Sequence, residues 1–326
     1  YTAEMQIRHG VQFTYKNQRY SLTRALAYHY LMADGTPFQS QEGWQTMQYN
    51  QEFNGRDPRM AQTIAAPDYV AVGADASSKY YPSCKDYERS GYRPIKYFSD
   101  DTHDGATTST TDYAIFRYGE VLLNYVEAKA ELGQADQSVI DETVNVIRAR
   151  VGMPGLDVAK ANAAPDSFLS SYYTDKHLEG ADKGLILEIR RERTVELVNE
   201  GFRLWDMLRW HEGQQICPAS NTLGPGFIGC WFPGLGEYDM NNDGKPDLCI
   251  YSGSTPQTDC DNTLNVAPGK ENTLSEGTSG YLVQFKDQTY KWEEKDYLYP
   301  IPNKQMQIYP IDETTGKSVL TQNPGY

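Results

Sequence analysis

Residues 185–210 read LILEIRRERTVELVNEGFRLWDMLRW, and the spacing of their apolar side chains decides the fold class. Three- and four-residue steps predict one face of an α-helix, with Asp182 as its N-terminal cap. Gly201 ends that helix, because glycine readily takes the left-handed conformation of a helix C-terminus. A second, shorter helix follows. The positions on the two faces are Leu185, Ile189, Glu192, Val195 and Val198, then Phe202, Trp205, Leu208 and Trp210.

Charged side chains of alternating sign run through the same stretch. Glu188 and Arg191, like Arg193 and Glu196, lie three residues apart on neighbouring helical turns. Interleaved opposite charges on helices are usually structural, so we expect ion pairs that link packed helices. A carboxylate pair for acid–base catalysis is the alternative.

A second helical hairpin is predicted upstream, within residues 113–151. Its second helix begins at Asp136 or Ser138 and ends at Gly152. Two such hairpins are typical of tetratricopeptide-like repeats, here separated by an insertion at 152–181. The apolar positions are Tyr118, Val121, Leu122, Tyr125, Val126 and Leu132 in the first helix, and Ile140, Val144, Ile147 and Val151 in the second.

Composition narrows the class of protein. The 326 residues carry 30 Lys and Arg against 44 Asp and Glu, a net charge of −14. A field of this sign opposes binding to a phosphate backbone, so we expect no nucleic-acid partner. No apolar run approaches the roughly 18 residues that span a bilayer. The opening residues lack the apolar core and cleavage site of a signal peptide, which predicts a soluble chain that is mature or truncated.

Five cysteines include two closely spaced pairs. Cys217 with Cys230, and Cys249 with Cys260, are disulfide candidates in an oxidising compartment, and Cys84 is then left free. Short spacing permits a bridge without establishing its geometry, so reduced thiols are the alternative. The sequence contains no C-x-x-C motif, which argues against a zinc site.

Aromatic side chains are unusually abundant, with 25 Tyr against 10 Phe and 5 Trp. Several lie in stretches rich in Gln, Asn and Gly. Sugars offer C–H faces that stack on rings and hydroxyl groups that bond to amides, so this mixture suits a glycan. Packing on a loop-rich surface is the alternative for each ring. The candidate ligand-binding residues are Trp44, Tyr49, Phe53, Tyr69, Tyr81, and, in a Gly-Pro loop, Trp231 and Phe232.

The segment 239–247 reads DMNNDGKPD and has the spacing of a calcium-binding loop. Oxygen-bearing side chains alternate, and Gly244 stands at the sixth position, where calcium loops turn sharply. An EF-hand requires glutamate at the twelfth position, where this chain has Ile250, so we expect a shorter loop or a site completed from elsewhere. A solvated Asx-rich turn is the alternative. The predicted ligands of a structural Ca²⁺ are Asp239, Asn241, Asp243, Lys245 through its carbonyl, and Asp247.

Four parts of the chain, in sequence order, resemble the SusD/RagB family of nutrient-binding outer-membrane lipoproteins of Bacteroidetes. GRDPR with TI, at 55–64, resembles a turn that precedes the helical part of the family. YAIFRYGEVLLNYVEA, at 113–128, resembles one of its helices. RRER, EL, EGFR and DMLRW, within 190–210, resemble its helix pair. LYPIP at 298–302 with LTQNPGY at 320–326 resembles its C-terminus.

The resemblance implies a SusD-like fold, mostly α with irregular loops (α+β), in which tetratricopeptide-like helix hairpins precede a loop-rich C-terminal subdomain. We expect a loop-rich aromatic segment at 1–110, the helix hairpins at 111–212, and a loop-rich insert and C-terminal segment at 213–326. The family carries further helical repeats and a lipidated cysteine upstream. The chain therefore resembles the C-terminal portion of such a protein.

The family resemblance also implies a function. It predicts non-catalytic binding of a nutrient glycan on the extracellular face of the outer membrane, for delivery to a SusC-type TonB-dependent transporter. The membrane is then contacted only through a lipid anchor outside this chain. Three alternatives stay open: a peptide ligand, a glycoside hydrolase whose carboxylates are brought together by folding, and a helical-repeat scaffold for protein partners.

Overall fold

The computed structural model describes residues 21–85, 88–97, 114–173, 178–213, 227–284 and 291–326. Its first part is built from short helices. Asp57 caps one of them by accepting from the backbone N–H of Arg59, and Pro58 takes the first helical position, where no N–H is needed. The elements of this part are α1 (Arg24–Ala27), 3₁₀ turns at Phe38–Ser40 and Trp44–Thr46, α2 (Tyr49–Glu52) and α3 (Pro58–Thr63).

The central part is helical throughout. Its elements are α4 (Tyr118–Glu131), α5 (Gln137–Glu142), α6 (Val144–Ala149), α7 (Val158–Ala163), α8 (Ser167–Tyr172), α9 (Lys183–Glu196) and α10 (Arg203–Arg209). Helix α9 lies among the others and contacts α3, α4, α7 and α8. Eleven of its residues are buried, including all from Ile189 to Glu196. The stretch that predicts the fold class is therefore also the centre of the fold.

Both ends of α9 were predicted, and both differ in the structure. The helix ends at Glu196, with Leu197 as its C-cap, and not at Gly201. Asn199 already has a left-handed φ of +62°, and Gly201, with a φ of +84°, lies in the turn before α10.

Asp182 makes no side-chain capping bond; its carboxylate instead accepts from Asn162 Nδ2 at 3.2 Å. Asn162 of α7 takes over the capping role, because its Oδ1 accepts from the Leu185 N–H at 2.7 Å. A neighbouring helix thus satisfies the donor that a local cap was expected to satisfy.

Helix α4 is confirmed, but its packed face differs from the predicted one. Leu123 and Ala130 lie in the core beside Val126. Tyr118 and Tyr125, predicted on the packed face, are 70% and 46% exposed. The helix carries apolar side chains on two sides, and only one of these sides packs against α9 among the described residues.

The second helix of the predicted hairpin is divided in two. Thr143 has φ −127° and ψ −88°, which interrupts the helix between α5 and α6. Its hydroxyl donates to the Val139 carbonyl oxygen at 2.5 Å, a side-chain bond that competes with the helical pattern. Asp136 caps α5 by accepting from the Val139 N–H, as predicted. Ile140 and Val144 are fully buried, as their spacing indicated.

Beyond residue 227, the described residues form two three-stranded sheets that the sequence did not reveal. The strands are β1 (Phe227–Phe232), β2 (Gly236–Tyr238), β3 (Leu248–Tyr251), β4 (Asn262–Asn265), β5 (Asn272–Leu274) and β6 (Gly280–Gln284), followed by α11 (Asn303–Ile308). One sheet has the antiparallel order β1-β6-β5. In the other, β3 pairs antiparallel with β2 and parallel with β4. Trp231 and Phe232, expected in a loop, lie on β1.

Three apolar clusters meet along α9. Val195 packs into the cluster that contains the sheets, Leu185 and Ile189 pack against α4 to α6, and Leu187 packs into an aromatic cluster with Phe168. Successive turns of one helix thus join the sheets to the helical part.

The helix-rich mixture of α and β elements confirms the predicted fold class. The three-part division at 1–110, 111–212 and 213–326 stays a prediction. In the part of the chain that the structure describes, no helix is both long enough and apolar enough to cross a membrane.

Candidate ligand-binding site

Glu192, in the middle of α9, is a buried carboxylate between two arginines. Arg59 of α3 donates to one of its oxygens, and Arg148 of α6 donates to the other at 2.9 Å. Burial alone would raise the pKa of Glu192, but the two positive charges lower it to about 2. A general acid requires a pKa shifted in the opposite direction, so Glu192 serves as the centre of an ion-pair network.

Glu196, one turn further along α9, is held by arginines from other elements. Arg117 donates to it at 2.6 Å and Arg150 at 2.8 Å. Arg193, which the sequence suggested as the partner of Glu196, pairs instead with Asp206 of α10 at 2.7 Å. The expected ion pairs between packed helices are confirmed, although this one partner was wrong.

Two of the seven aromatic candidates lie in the core. Tyr49 and Phe232 are each 1% exposed, and the Tyr49 hydroxyl donates to the Ala65 carbonyl oxygen. A sugar cannot reach rings that are enclosed on all sides, so these two rings serve packing, in contrast to their predicted stacking role. Phe53 packs edge-on against Tyr49, with 5.1 Å between ring centroids.

The stretch 41–54 that carries three of these aromatic residues also forms a cavity of about 430 Å³, here called the amide cavity. Its apolar lining comes from Met32, Phe38 and Met47. Amides and hydroxyls on its wall match the hydrogen-bonding groups of a sugar, and the volume suits a small ligand. The polar residues of the amide cavity are Gln41, Glu42, Thr46, Gln51 and Asn54.

Two buried arginines hold the wall of the amide cavity. The Arg56 guanidinium lies 3.8 Å from the centroid of the Phe38 ring and donates to three backbone carbonyls. Arg24 donates to the Met47 carbonyl oxygen at 3.0 Å and lies 5.2 Å from the centroid of the Tyr281 ring. Because these contacts involve backbone atoms, they fix the wall before any ligand binds.

Trp44 lies within the stretch that forms the amide cavity, and Trp231 lies on the neighbouring strand β1. The 3₁₀ turn that begins at Trp44 packs against β1, and the Trp44 ring meets Tyr28 edge-on at 5.0 Å. Trp231 on β1 stands opposite Tyr281 on β6, and both side chains are half-buried. We call the amide cavity together with Trp44 and Trp231 the amide–aromatic site.

Tyr81 belongs to a different surface, beside the calcium-like loop. Its hydroxyl donates to an Asp261 oxygen at 3.0 Å. Partial burial raises the pKa of Tyr81 to about 12, with contributions from Asp261 and from the nearby Asp247 and Asp243. Tyr69 contacts Tyr80, with 6.2 Å between centroids. Ligand contact by Tyr69 and Tyr81 stays a prediction.

The loop 239–247 connects β2 to β3 and turns its oxygens inward. Asp239 accepts from the Gly244 N–H at 2.8 Å, and Asn241 accepts from the Asp243 N–H at 3.0 Å. Asp247 accepts from the N–H of Met240 at 2.8 Å. Gly244 has a φ of +86°, as a sharp turn at the sixth position requires.

The chemistry of this loop suits Ca²⁺, although its carboxylates are not gathered into a cage. Partial burial raises the pKa of Asp247, and the charges of Asp243 and Asp239 raise it further. A cation among these oxygens would relieve that repulsion. Among the described residues, no three carboxylate, imidazole or thiol side chains come together closely enough to hold a metal ion. Calcium binding by Asp239, Asn241, Asp243, Lys245 and Asp247 stays a prediction.

The cysteine predictions are partly overturned. All four cysteines among the described residues, Cys84, Cys230, Cys249 and Cys260, are free thiols in the structure, so the predicted bridge between Cys249 and Cys260 is not formed. Cys249 is buried on β3 opposite Thr263, whereas Cys260 is half-buried in the loop before β4. Cys217 lies outside the described residues. Cys230, its proposed partner, lies beside Cys84.

The model of the SusD family matches residues 5–326. The chain belongs to the SusD family. This match confirms the resemblance carried by the turn at 55–64, the two helical segments and the C-terminal motif. In the structure these segments are joined: α3 and α4 pack against α9, and ion pairs link α10 to α9 and to α4.

Individual relatives agree with SusD family membership. The chain is 30% identical to the SusD-like protein P38 of Formosa agariphila over 113 residues. These residues make up 35% of this chain and 20% of that protein. A SusD-like carbohydrate binding protein from Bacteroides fragilis superimposes with a TM-score of 0.57 at 21% identity, covering 90% of this chain and 50% of that one. A second SusD-like protein from the same organism superimposes with a TM-score of 0.56 at 22% identity, and the match covers 99% of this chain and 53% of that one. The chain thus spans about half the length of these solved relatives.

In this SusD-family chain, the family motifs lie in the scaffold and not in the candidate amide–aromatic site. Gln51 and Asn54 of the amide cavity were not singled out from the sequence. The available signal was the density of Gln and Asn around Trp44, which indicated a polar site without showing which amides share a wall.

Proposed function

We propose that this protein captures a nutrient glycan at the cell surface without chemically changing it, for delivery to a TonB-dependent outer-membrane transporter of the SusC type. The observation that carries the proposal is the match to the SusD family over nearly the whole chain. A solved relative of the same fold is described as a carbohydrate binding protein, which favours a glycan over a peptide.

The amide–aromatic site provides suitable chemistry for a glycan. Gln41, Gln51 and Asn54 offer amide donors and acceptors to sugar hydroxyls. The half-buried rings of Trp44 and Trp231 offer apolar surface to the C–H faces of a sugar ring. The cavity is open and shallow, which suits one or two sugar units of a longer chain.

Binding without turnover is consistent with the charge distribution. Glycoside hydrolysis requires one carboxyl group that is protonated near neutral pH and a second that is ionised. Glu192 and Glu196 are instead each paired with arginines, and the pKa of Glu192 is lowered to about 2 although its burial opposes this.

The proposed location follows from the proposed function. We infer an extracellular position on the outer membrane, reached through a lipid anchor outside this chain. The transporter is then the partner, and the amide–aromatic site delivers its ligand to that partner.

Isothermal titration of the intact protein against neutral oligosaccharides and against a peptide pool tests the proposal. We expect heat of binding from at least one oligosaccharide and no release of reducing sugar during the titration. Binding of peptides alone would replace the glycan assignment with peptide capture. Release of reducing sugar would indicate a hydrolase.

A further inference from the structure

Cys84 and Cys230 bring their sulfur atoms into one small space in the core. Both residues are fully buried, although they are distant in sequence. A Cβ placed on Gly91 would collide with the Cys230 sulfur and would lie 3.3 Å from the Cys84 sulfur. The two sulfurs therefore flank the same point beside the Gly91 backbone.

Backbone hydrogen bonds fix both cysteines. The Cys84 carbonyl oxygen accepts from Asn272 Nδ2 at 3.0 Å. The Cys230 N–H donates to the Ser90 carbonyl oxygen at 2.9 Å. Since each main chain is held by a different part of the fold, the sulfurs meet because of the tertiary structure and not because of a flexible loop.

Cys84 also has an unusual backbone conformation. Its φ is +54°, in the left-handed region that residues with a side chain rarely adopt. Such a conformation persists only where the surroundings hold it, so the direction in which Cys84 projects its sulfur is maintained against strain.

We propose that Cys84 and Cys230 form a disulfide bond when the protein folds outside the cytoplasm, which ties the segment before Gly91 to strand β1. The proposal rests on the cell-surface location inferred above, because that location exposes the folding chain to an oxidising compartment. It replaces the pairing of Cys230 with Cys217 that sequence spacing suggested.

The reaction is thiol–disulfide exchange with a disulfide-bonded oxidoreductase. The thiolate of one cysteine attacks the disulfide of the oxidant and displaces one of its sulfurs as a thiolate. The thiolate of the second cysteine then attacks the mixed disulfide and releases the other sulfur. Overall, Cys84 and Cys230 lose two protons and two electrons, and the oxidant gains them as a dithiol.

Burial determines when this exchange takes place. Exchange needs a thiolate that a partner can reach, and both sulfurs are enclosed in the folded protein. Burial also raises the pKa of the Cys230 thiol. The bond therefore forms as β1 docks, before the two sulfurs are enclosed, and once formed it is shielded from small reductants. Because it closes the chain from residue 84 to residue 230, it constrains the unfolded state strongly.

Peptide mapping of protein exported to an oxidising compartment tests the proposal. The protein is denatured, alkylated without reduction, digested and analysed by mass spectrometry. We expect one cross-linked peptide pair that contains Cys84 and Cys230 and that disappears on reduction. Alkylated Cys84 in the unreduced sample, or a cross-link from Cys230 to Cys217, would overturn the proposal.

A melting experiment provides a second measurement. Protein that is denatured, reduced and refolded in the presence of reductant should melt roughly 5–10 °C below the oxidised wild-type protein. Cys84→Ser should abolish this difference, whereas Cys249→Ser, a control at another buried thiol, should keep it. An equal response of both variants to reductant would contradict the bond. If Cys84→Ser does not fold, the mapping of the wild-type protein still decides the question.

The same preparation separates this proposal from the proposed function. If mapping finds Cys84 alkylated in the unreduced sample while an untreated portion of the same preparation binds glycan, the disulfide proposal fails and the proposed function stands. If mapping finds the Cys84–Cys230 cross-link in protein that binds no glycan, the disulfide proposal stands and the glycan assignment fails.

Discussion

The guanidinium of Arg59 on α3 donates to the carboxylate of Glu192 on α9, and the other oxygen of that carboxylate accepts from Arg148 on α6 at 2.9 Å. One buried carboxylate therefore ties three helices together. The contacts are inaccessible to water, since all three side chains are at most 5% exposed. This arrangement makes the central helix sensitive to changes in a single charge.

Replacing Glu192 with Gln removes the charge but keeps the shape. Arg59 and Arg148 then lose the counter-ion that they share, although Arg59 keeps Asp57 and Arg148 keeps Glu188. The loss is expected to cost about 3 kcal/mol of unfolding free energy. Urea denaturation measures the loss. Glu188→Gln is the matched control, because Glu188 also pairs with Arg148 but is 14% exposed, whereas Glu192 is 1% exposed. Equal losses in both variants would contradict the central role of Glu192.

The Glu192 carboxyl also predicts how stability depends on pH. Its pKa is lowered to about 2 in the folded protein, against 4.5 for the unperturbed group. The stabilisation is fully present above pH 4.5 and is lost as the pH falls toward 2, with a magnitude on the order of 3 kcal/mol. Denaturation midpoints measured across that window should converge for the wild-type protein and Glu192→Gln. A stability difference that does not change with pH would contradict the lowered pKa.

Gly184, at the start of α9, allows close contact with α7. A Cβ at this position would collide with the Ala161 carbonyl oxygen, which is part of a backbone that cannot move freely. Gly184→Ala is therefore expected to destabilise the protein by about 1–3 kcal/mol, although alanine favours a helix. Gly234→Ala is the control, since nothing lies within 4 Å of its Cβ position. Thermal unfolding of both variants checks the prediction, and a stabilised Gly184→Ala would refute the close approach.

Elements of the fold that depend on local spacing could be predicted from the sequence, whereas elements that depend on contacts between distant segments could not. Helices α4 and α9 are long and periodic, so local spacing sufficed to identify them. Strand β1 has the burial pattern of an irregular strand, with a register shift between Ile228 and Trp231, and it pairs with β6 some fifty residues later. Neither the burial pattern of β1 nor its partner strand can be predicted from the local sequence, because both depend on pairing between segments that are distant in the chain.

In the candidate ligand-binding site, the exposure of single residues could not be predicted from the sequence for the same reason. Trp44 and Tyr49 stand five positions apart in one polar stretch, yet Trp44 is half-buried and Tyr49 is 1% exposed. Which ring faces solvent depends on Ala65 and Tyr92, which enclose Tyr49 from elsewhere in the chain. Composition indicated the region, and only packing could select the residues.

Calcium binding by the loop 239–247 stays a prediction with a direct test. If Ca²⁺ binds only the folded protein, a hundredfold excess over its Kd adds about 2.7 kcal/mol, which raises Tm by roughly 5–10 °C. Asp243→Ala should abolish the rise. Asp312→Ala should keep it, because Asp312 accepts backbone N–H groups in an exposed turn of a different loop. Identical melting with calcium and with a chelator would show that the loop is an ordinary turn.

The most direct measurement of the central claim is the affinity of the best oligosaccharide ligand for the wild-type protein, Trp44→Ala and Trp205→Ala. Trp44 belongs to the amide–aromatic site, whereas Trp205 is an equally large ring, 54% exposed, on α10. Loss of stacking should weaken binding to Trp44→Ala by about tenfold or more and leave Trp205→Ala unchanged. If no oligosaccharide binds the wild-type protein, or if both variants bind like the wild type, the amide–aromatic site does not capture a glycan.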